Sequence, residues 1–153
     1  MEKGFKEIVN FINKFVLLSD NDIEVFIPLL KKEDYKKGDF ILKEGQHCNQ
    51  IKFVISGIYR VYQLRDGKEI TSYFNYNERN PLIASTESIL SNQKSKEYIE
   101  CLEPGVLLSL NYKDLLELYK SSLAFNTFGR KMAELNYLLS IERIESLQYK
   151  TAS

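Results

Sequence analysis

The stretch Phe53-Val54-Ile55-Ser56-Gly57-Ile58-Tyr59-Arg60-Val61, running through Tyr62-Gln63-Leu64-Arg65 into Asp66-Gly67-Lys68-Glu69, decides the fold class. Ile51–Ser56 and Ile58–Leu64 are rich in β-branched and aromatic residues and are hinged at Ser56-Gly57, which reads as two strands. Asp66-Gly67 supplies the two positive-φ positions of a tight hairpin, joining Tyr59–Arg65 to Lys68–Asn75. Working outward, Lys37-Gly38-Asp39 and Glu44-Gly45-Gln46 are turns flanking a strand at Phe40–Lys43. A last strand pair, Glu97–Leu102 and Val106–Leu110, turns at Glu103-Pro104-Gly105. From about Lys32 to Asn111 the chain therefore reads as short strands with no βαβ alternation, which predicts a sandwich or roll.

Helices flank this zone. Phe5, Ile8, Val9, Ile12 and Val16 recur at helical spacing. Ser19 caps a second helix, with Asp22 three residues on and Leu18 placed to staple against Ile23; Ile23, Phe26, Ile27 and Leu30 form its buried face. After the strands, Asn111 is a candidate cap, Asp114 sits at the third helical position and Leu110 can staple against Leu115. From Phe125 to Gln148 there is no proline and the helical period is sustained, giving a rod of roughly 35 Å. Phe128, Met132, Leu135 and Leu139 make one apolar stripe; Tyr137, Ile141 and Ile144 make a second, displaced one. A helix that only closed its own domain needs one stripe. Two predict that it faces its own β domain on one side and a second copy of the chain on the other. The division expected is 1–124 for the β domain with its N-terminal helices and 125–153 for a dimerisation helix.

The 153 residues carry 21 basic and 21 acidic side chains, so the net charge is zero, without the basic excess usual for a nucleic-acid-binding domain. Lys31, Lys32, Lys36 and Lys37 are interrupted by Glu33 and Asp34 and read as a solvated rim. Cys48 and Cys101 have neither metal-ligand spacing nor a secreted disulfide pattern, so they read as structural thiols of a cytoplasmic protein. No apolar run approaches the roughly 20 residues that span a bilayer, and MEKGFKEIVNF lacks a signal-peptide core.

The ordered set Lys37-Gly38-Asp39-Phe40-Ile41, Glu44-Gly45, Phe53 to Val61 with Ser56-Gly57, and Asp66-Gly67-Lys68-Glu69 resembles the Crp–Fnr family of bacterial regulators, from about Leu17 to Tyr149. The resemblance implies a double-stranded β-helix (a jelly-roll sensor domain of the cyclic-nucleotide-binding type), a long dimerisation helix, and a helix-turn-helix domain that reads DNA. That last domain is absent from this chain, and the ending at Lys150-Thr151-Ala152-Ser153 suggests truncation rather than a natural sensor-only protein.

In nucleotide-binding relatives a Gly-Glu pair opens a short helix facing the phosphate, the Glu takes the ribose hydroxyl, and an Arg about ten residues later pairs with the cyclic phosphate. A helix start favours an anion and Arg offers a charged fork. Here Ala84-Ser85 stands at the Gly-Glu position, followed by Thr86, and Ser95 stands at the Arg position. Lys96 is one place off, which on a strand points it to the opposite face. The resemblance places Ser140 of the long helix near the ligand. Cyclic AMP binding is not expected, and a different small effector in this polar cassette is. No cofactor is expected.

Two cysteines exclude the four-cysteine cluster of Fnr-type oxygen sensing. His47, the single histidine, falls in a turn and cannot supply the several-histidine metal site of a cupin-type enzyme. No nucleophile–base arrangement is evident, so catalysis is not expected. The leading expectation is the ligand-sensing and homodimerising portion of a transcription regulator. The second is a stand-alone, degenerate cyclic-nucleotide-binding-like interaction module, and the third a cupin-type enzyme.

Overall fold

The computed structural model describes the backbone of residues 1–152 and the side chains of residues 1–146. Two helices, α1 (Lys3–Asn13) and α2 (Asp20–Phe26), precede eight strands: β1 (Lys31–Tyr35), β2 (Phe40–Leu42), β3 (Gln50–Val54), β4 (Ile58–Arg65), β5 (Lys68–Asn75), β6 (Leu82–Ile83), β7 (Tyr98–Glu103) and β8 (Gly105–Asn111). A short helix α3 (Thr86–Ser91) lies between β6 and β7, and α4 (Tyr112–Ser121) and α5 (Leu123–Ala152) follow β8. The strands form two four-stranded antiparallel sheets, ordered β1-β8-β3-β6 and β2-β7-β4-β5. This is the β-roll with flanking helices and a long C-terminal helix that the sequence predicted.

The turn chemistry is as read. Asp66 and Gly67 both have positive φ (53° and 75°), and Arg65 pairs with Lys68, so the β4–β5 hairpin has a two-residue turn. Ser19 accepts from the Asp22 amide and the Asp22 carboxylate from the Ser19 amide, a reciprocal cap on α2. Gly57 sits at φ +94°, and a Cβ there would come 2.8 Å from the Glu103 carbonyl oxygen, because β3–β4 and β7–β8 cross backbone to backbone at this corner.

One reading differs from the structure, and another is incomplete. Asn111 precedes α4, but its side chain does not cap the helix and instead accepts from Gln50 Nε2 at 3.1 Å. Lys31, Lys32, Lys36 and Lys37 are exposed, as a solvated rim should be, and residues 31–35 are in addition strand β1: the β8 backbone pairs along all five, which outweighs the poor strand propensity of Lys-Lys-Glu-Asp. Within β1, Glu33 is functional to the core. The Lys52 ammonium, buried between the sheets, contacts Glu33 at 2.6 Å, Gln50 at 2.9 Å and Ser109 at 3.2 Å.

The core has two parts because β3 and β8 are covered on both faces. Val54 and Leu107 point between the sheets with Leu42, Tyr59, Val61, Ile83, Ile99 and Cys101. Their neighbours Phe53 and Leu108 point outward into a helical layer built from α1, α2, α4 and the start of α5. Helix α5 begins at Leu123, two residues before the expected boundary, and its first turns belong to that layer. Phe125 packs on Phe26 (centroids 4.9 Å apart), and Phe128 sits against Phe11 and Phe15. Ser122 Oγ donates to Asp22 Oδ1 at 2.7 Å and accepts from the Phe125 amide, and Lys131 Nζ donates to the Phe15 carbonyl.

Two outcomes test this packing. Gly57→Ala forces a Cβ into positive φ and onto the Glu103 carbonyl, and is expected to cost about 2 kcal/mol or more in urea unfolding. Glu33→Ala leaves the Lys52 ammonium buried without its carboxylate, for a loss of about 3 kcal/mol, whereas replacing the pair together, Glu33→Leu with Lys52→Met, changes stability by less than about 1 kcal/mol.

Candidate functional site

The segment between β5 and β7 carries the residues singled out for ligand contact. Ala84 follows β6, Ser85 stands at the N-terminal boundary of α3, and Asn92, with φ +55°, ends that helix in the left-handed conformation. The segment is tied to the loop before β3. Gly45 donates to the Ser95 carbonyl and Ser95 to the Gln46 carbonyl, and the Cys48 amide donates to Ser88 Oγ. The Ser85 amide is engaged by Cys48 Sγ at 3.4 Å.

Ser85 and Ser95 are brought together and buried, 2% and 3% exposed. Their hydroxyls lie 3.4 Å apart, and Ser85 Oγ donates to Glu97 Oε1 at 3.2 Å. Ser95 Oγ donates to the Glu97 carbonyl and accepts from the Glu97 amide. Glu97 is thus the charged group of the site, and sequence reading passed over it. No strand period marks it: the chain bends at Lys96, β7 begins only at Tyr98, and a local bond from the Glu97 amide to Ser95 Oγ ties the two residues together. Lys96 lies at the surface, paired with Glu87 at 3.4 Å with both side chains about 70% exposed, a contact of little energetic weight. Thr86 is exposed, and Ala84 is half-buried at the edge of a cavity of about 410 Å³ lined also by His47, Cys48, Gln50 and Lys52.

The long helix approaches the site with a residue other than the one expected. Ser140 is exposed and its hydroxyl bonds back to the Asn136 carbonyl one turn earlier. One turn further on, the Arg143 guanidinium lies over the Tyr73 ring at 5.6 Å from its centroid. Burial, with the neighbouring Glu97 charge adding to it, pushes the Tyr73 phenol up to about 12, so it stays neutral. Burial is also the largest influence on Glu97, raising its carboxyl above the ordinary 4.5; Glu87 adds to the rise, while Ser85 and Arg143 oppose it.

Of the residues expected at an interface, Phe128 is taken up in the helical layer of its own domain, and Met132 and Ile141 are half-buried. Leu135, Tyr137, Leu139 and Ile144 are 42–68% exposed, and Leu138 joins them.

At this site a carboxylate, Glu97, shares a hydroxyl cluster with Ser85 and Ser95, and the Ser85 amide is engaged by Cys48 Sγ. Among the described residues no group of three or more His, Cys, Asp or Glu side chains is placed to hold a metal ion, and no helix is long and apolar enough to cross a membrane.

The raised carboxyl has a consequence for stability. A folded-state value above the unfolded one stabilises the fold fully below the unfolded value of about 4.5, and that contribution is lost as pH rises through the folded value. Glu97→Gln, which cannot ionise, is therefore expected to gain stability relative to the parent as pH is raised from 4 to 8, in thermal unfolding followed by circular dichroism.

Comparison with known proteins agrees with the fold. No curated protein sequence matches the chain. Among solved structures, the sensor domain of the transcriptional regulator DNR from Pseudomonas aeruginosa superposes with a TM-score of 0.72 at 18% identity, covering 92% of this chain and 90% of that one. A cyclic nucleotide-binding domain from Methylobacillus flagellatus gives 0.72 at 17%, covering 94% and 80%. The Thermus thermophilus catabolite activator protein gives 0.71 at 17%, covering 86% of this chain, which spans 61% of that protein's length. At these identities the likeness is one of fold. The family model of the cyclic nucleotide-binding domain matches residues 32–122, more than half of the sequence and the whole of the β-roll. The chain belongs to the cyclic nucleotide-binding domain family.

Proposed function

We propose that this chain is the sensing and dimerisation portion of a Crp–Fnr-type transcription regulator, a non-catalytic cytoplasmic protein that answers to a small effector other than cyclic AMP. The observation that carries the reading is α5. Its first turns are locked into the helical layer through Phe125 and Phe128, while Leu135, Tyr137, Leu138, Leu139 and Ile144 face solvent on the same continuous helix. At about 3.6 residues per turn, Leu135, Leu138 and Leu139 share one face of the helix and Tyr137 and Ile144 lie nearly opposite; the leucine face is an exposed apolar stripe that another helix would cover. A second copy of the chain presents the same stripe, as a two-fold interface requires. The solved structures of similar fold include two whose names describe a regulator or an activator, which supports the regulatory role. DNA would be read by a helix-turn-helix segment beyond the long helix, with the geometry of the helix pair as the transmitted signal.

The cassette supports an effector other than cyclic AMP. A hydrogen bond to a charged group contributes about 1.5–3 kcal/mol, so losing both the ribose carboxylate and the phosphate cation weakens cyclic AMP binding by about 3–6 kcal/mol, roughly two to four powers of ten.

Light scattering is expected to give about twice the 17.9 kDa chain mass, and the double variant Leu135→Asp with Leu139→Asp is expected to give the single chain with an unchanged β signal in circular dichroism. A monomeric parent at high micromolar concentration would contradict the reading. Millimolar cyclic AMP is expected to leave the midpoint of thermal unfolding unchanged.

A further inference from the structure

We propose that the cassette takes a small organic cation, an ammonium or guanidinium group on a short carbon frame, which binds the Glu97 carboxylate and displaces the side chain of Arg143. This inference rests on the sensor reading above and supplies the chemical class of its effector.

The polar groups of the cassette converge on an acceptor. Ser85 and Ser95, both nearly fully buried, fix one side of Glu97: Ser85 holds Oε1, and Ser95 holds the backbone amide and carbonyl. Among the described residues Oε2 has no hydrogen-bond donor, although the carboxylate stands in a partly desolvated position. Facing it across the site are the Tyr73 ring from β5 and, over that ring, the Arg143 guanidinium from α5. Arg143 lies near enough for its charge to favour the ionised carboxylate, yet the two are not in salt-bridge contact. The remaining charges nearby are Glu87 and Lys96, which pair with each other at the surface. A carboxylate, an aromatic face and two hydroxyls are what a desolvated cation needs: a counter-charge, a cation–π surface and polar neighbours. An anion entering here would meet Glu97 and find the Ser85 amide already bonded to Cys48.

The competitor matters because of where it is rooted. Arg143 sits four residues after Leu139, one turn along the same side of the helix, and Leu139 is exposed on the face proposed for pairing. A ligand cation that satisfies Glu97 releases Arg143 from the site, so occupancy is reported on the helix that joins the two copies.

The test uses the intact chain, with methylguanidinium and n-butylammonium as probes. Amide signals are followed by nuclear magnetic resonance at constant ionic strength, with potassium chloride, inorganic phosphate and cyclic AMP as comparisons. Both cations are expected to shift Tyr73, Ser85, Ser95 and Glu97 saturably, and the comparison solutes are not. Glu97→Gln should weaken cation binding at least tenfold, and Arg143→Gln should strengthen it severalfold by removing the competitor. Unshifted signals elsewhere in the spectrum show that each variant is folded. An absent cation response, a response unchanged in Glu97→Gln, or saturable binding of phosphate or cyclic AMP overturns the inference. A dimer without the cation response leaves the sensor reading standing, whereas a monomer with a Glu97-dependent response removes the sensor reading and keeps the site.

Discussion

Strands β3 and β8 carry the molecule because each is sandwiched between two apolar layers. Alternation along an extended chain sends Val54 and Leu107 between the sheets and Phe53 and Leu108 into the helices, so one pair of strands nucleates both clusters. A residue slip in the β3–β8 register would exchange these sets and place the Lys52 ammonium against the aromatic rings of α1 and α5. The observed register instead aims Lys52 at Glu33, Gln50 and Ser109, where its charge is answered. The helical layer follows from the same strands: Phe53 receives Phe11, Phe11 receives Phe128, and α5 takes its direction from that contact.

The cassette inherits its position from this frame but not its chemistry. The loop before β3 holds α3 through Cys48, and the bonds between Gly45, Gln46 and Ser95 hold the chain that leads into β7. The main-chain bonds of this segment thus hold a cassette whose side chains are hydroxyls beside a carboxylate. A scaffold fixed by main-chain bonds leaves the side chains within it free to set the chemistry of the site.

Most of the fold was legible in local signals. Asp66-Gly67, Ser19 with Asp22, and the long proline-free stretch after Leu123 each have one physical reading, and the structure follows it. Strand β1 was illegible because its partner, not its composition, makes it a strand. The Asn111 cap failed because Gln50, 61 positions away in sequence, competes for the same side chain. At the site, the serines were identifiable from the resemblance, whereas Glu97 lies in a bend ahead of β7 that no strand period marks. Arg143 could not be read at all: it depends on the angle at which α5 leaves the helical layer, which is set by the packing of Phe125 and Phe128.

That angle has mechanical weight. Between Phe125 and Ile144 a straight helix covers nearly 30 Å at about 1.5 Å per residue. A tilt of only about 5° where the two phenylalanines grip would swing the far end by about 2–3 Å, as much as the width of an atom. The aromatic cluster around Phe11, Phe15, Phe26 and Phe53 is in effect the pivot of a long pointer, and its tight packing turns small changes near the roll into large ones far from it.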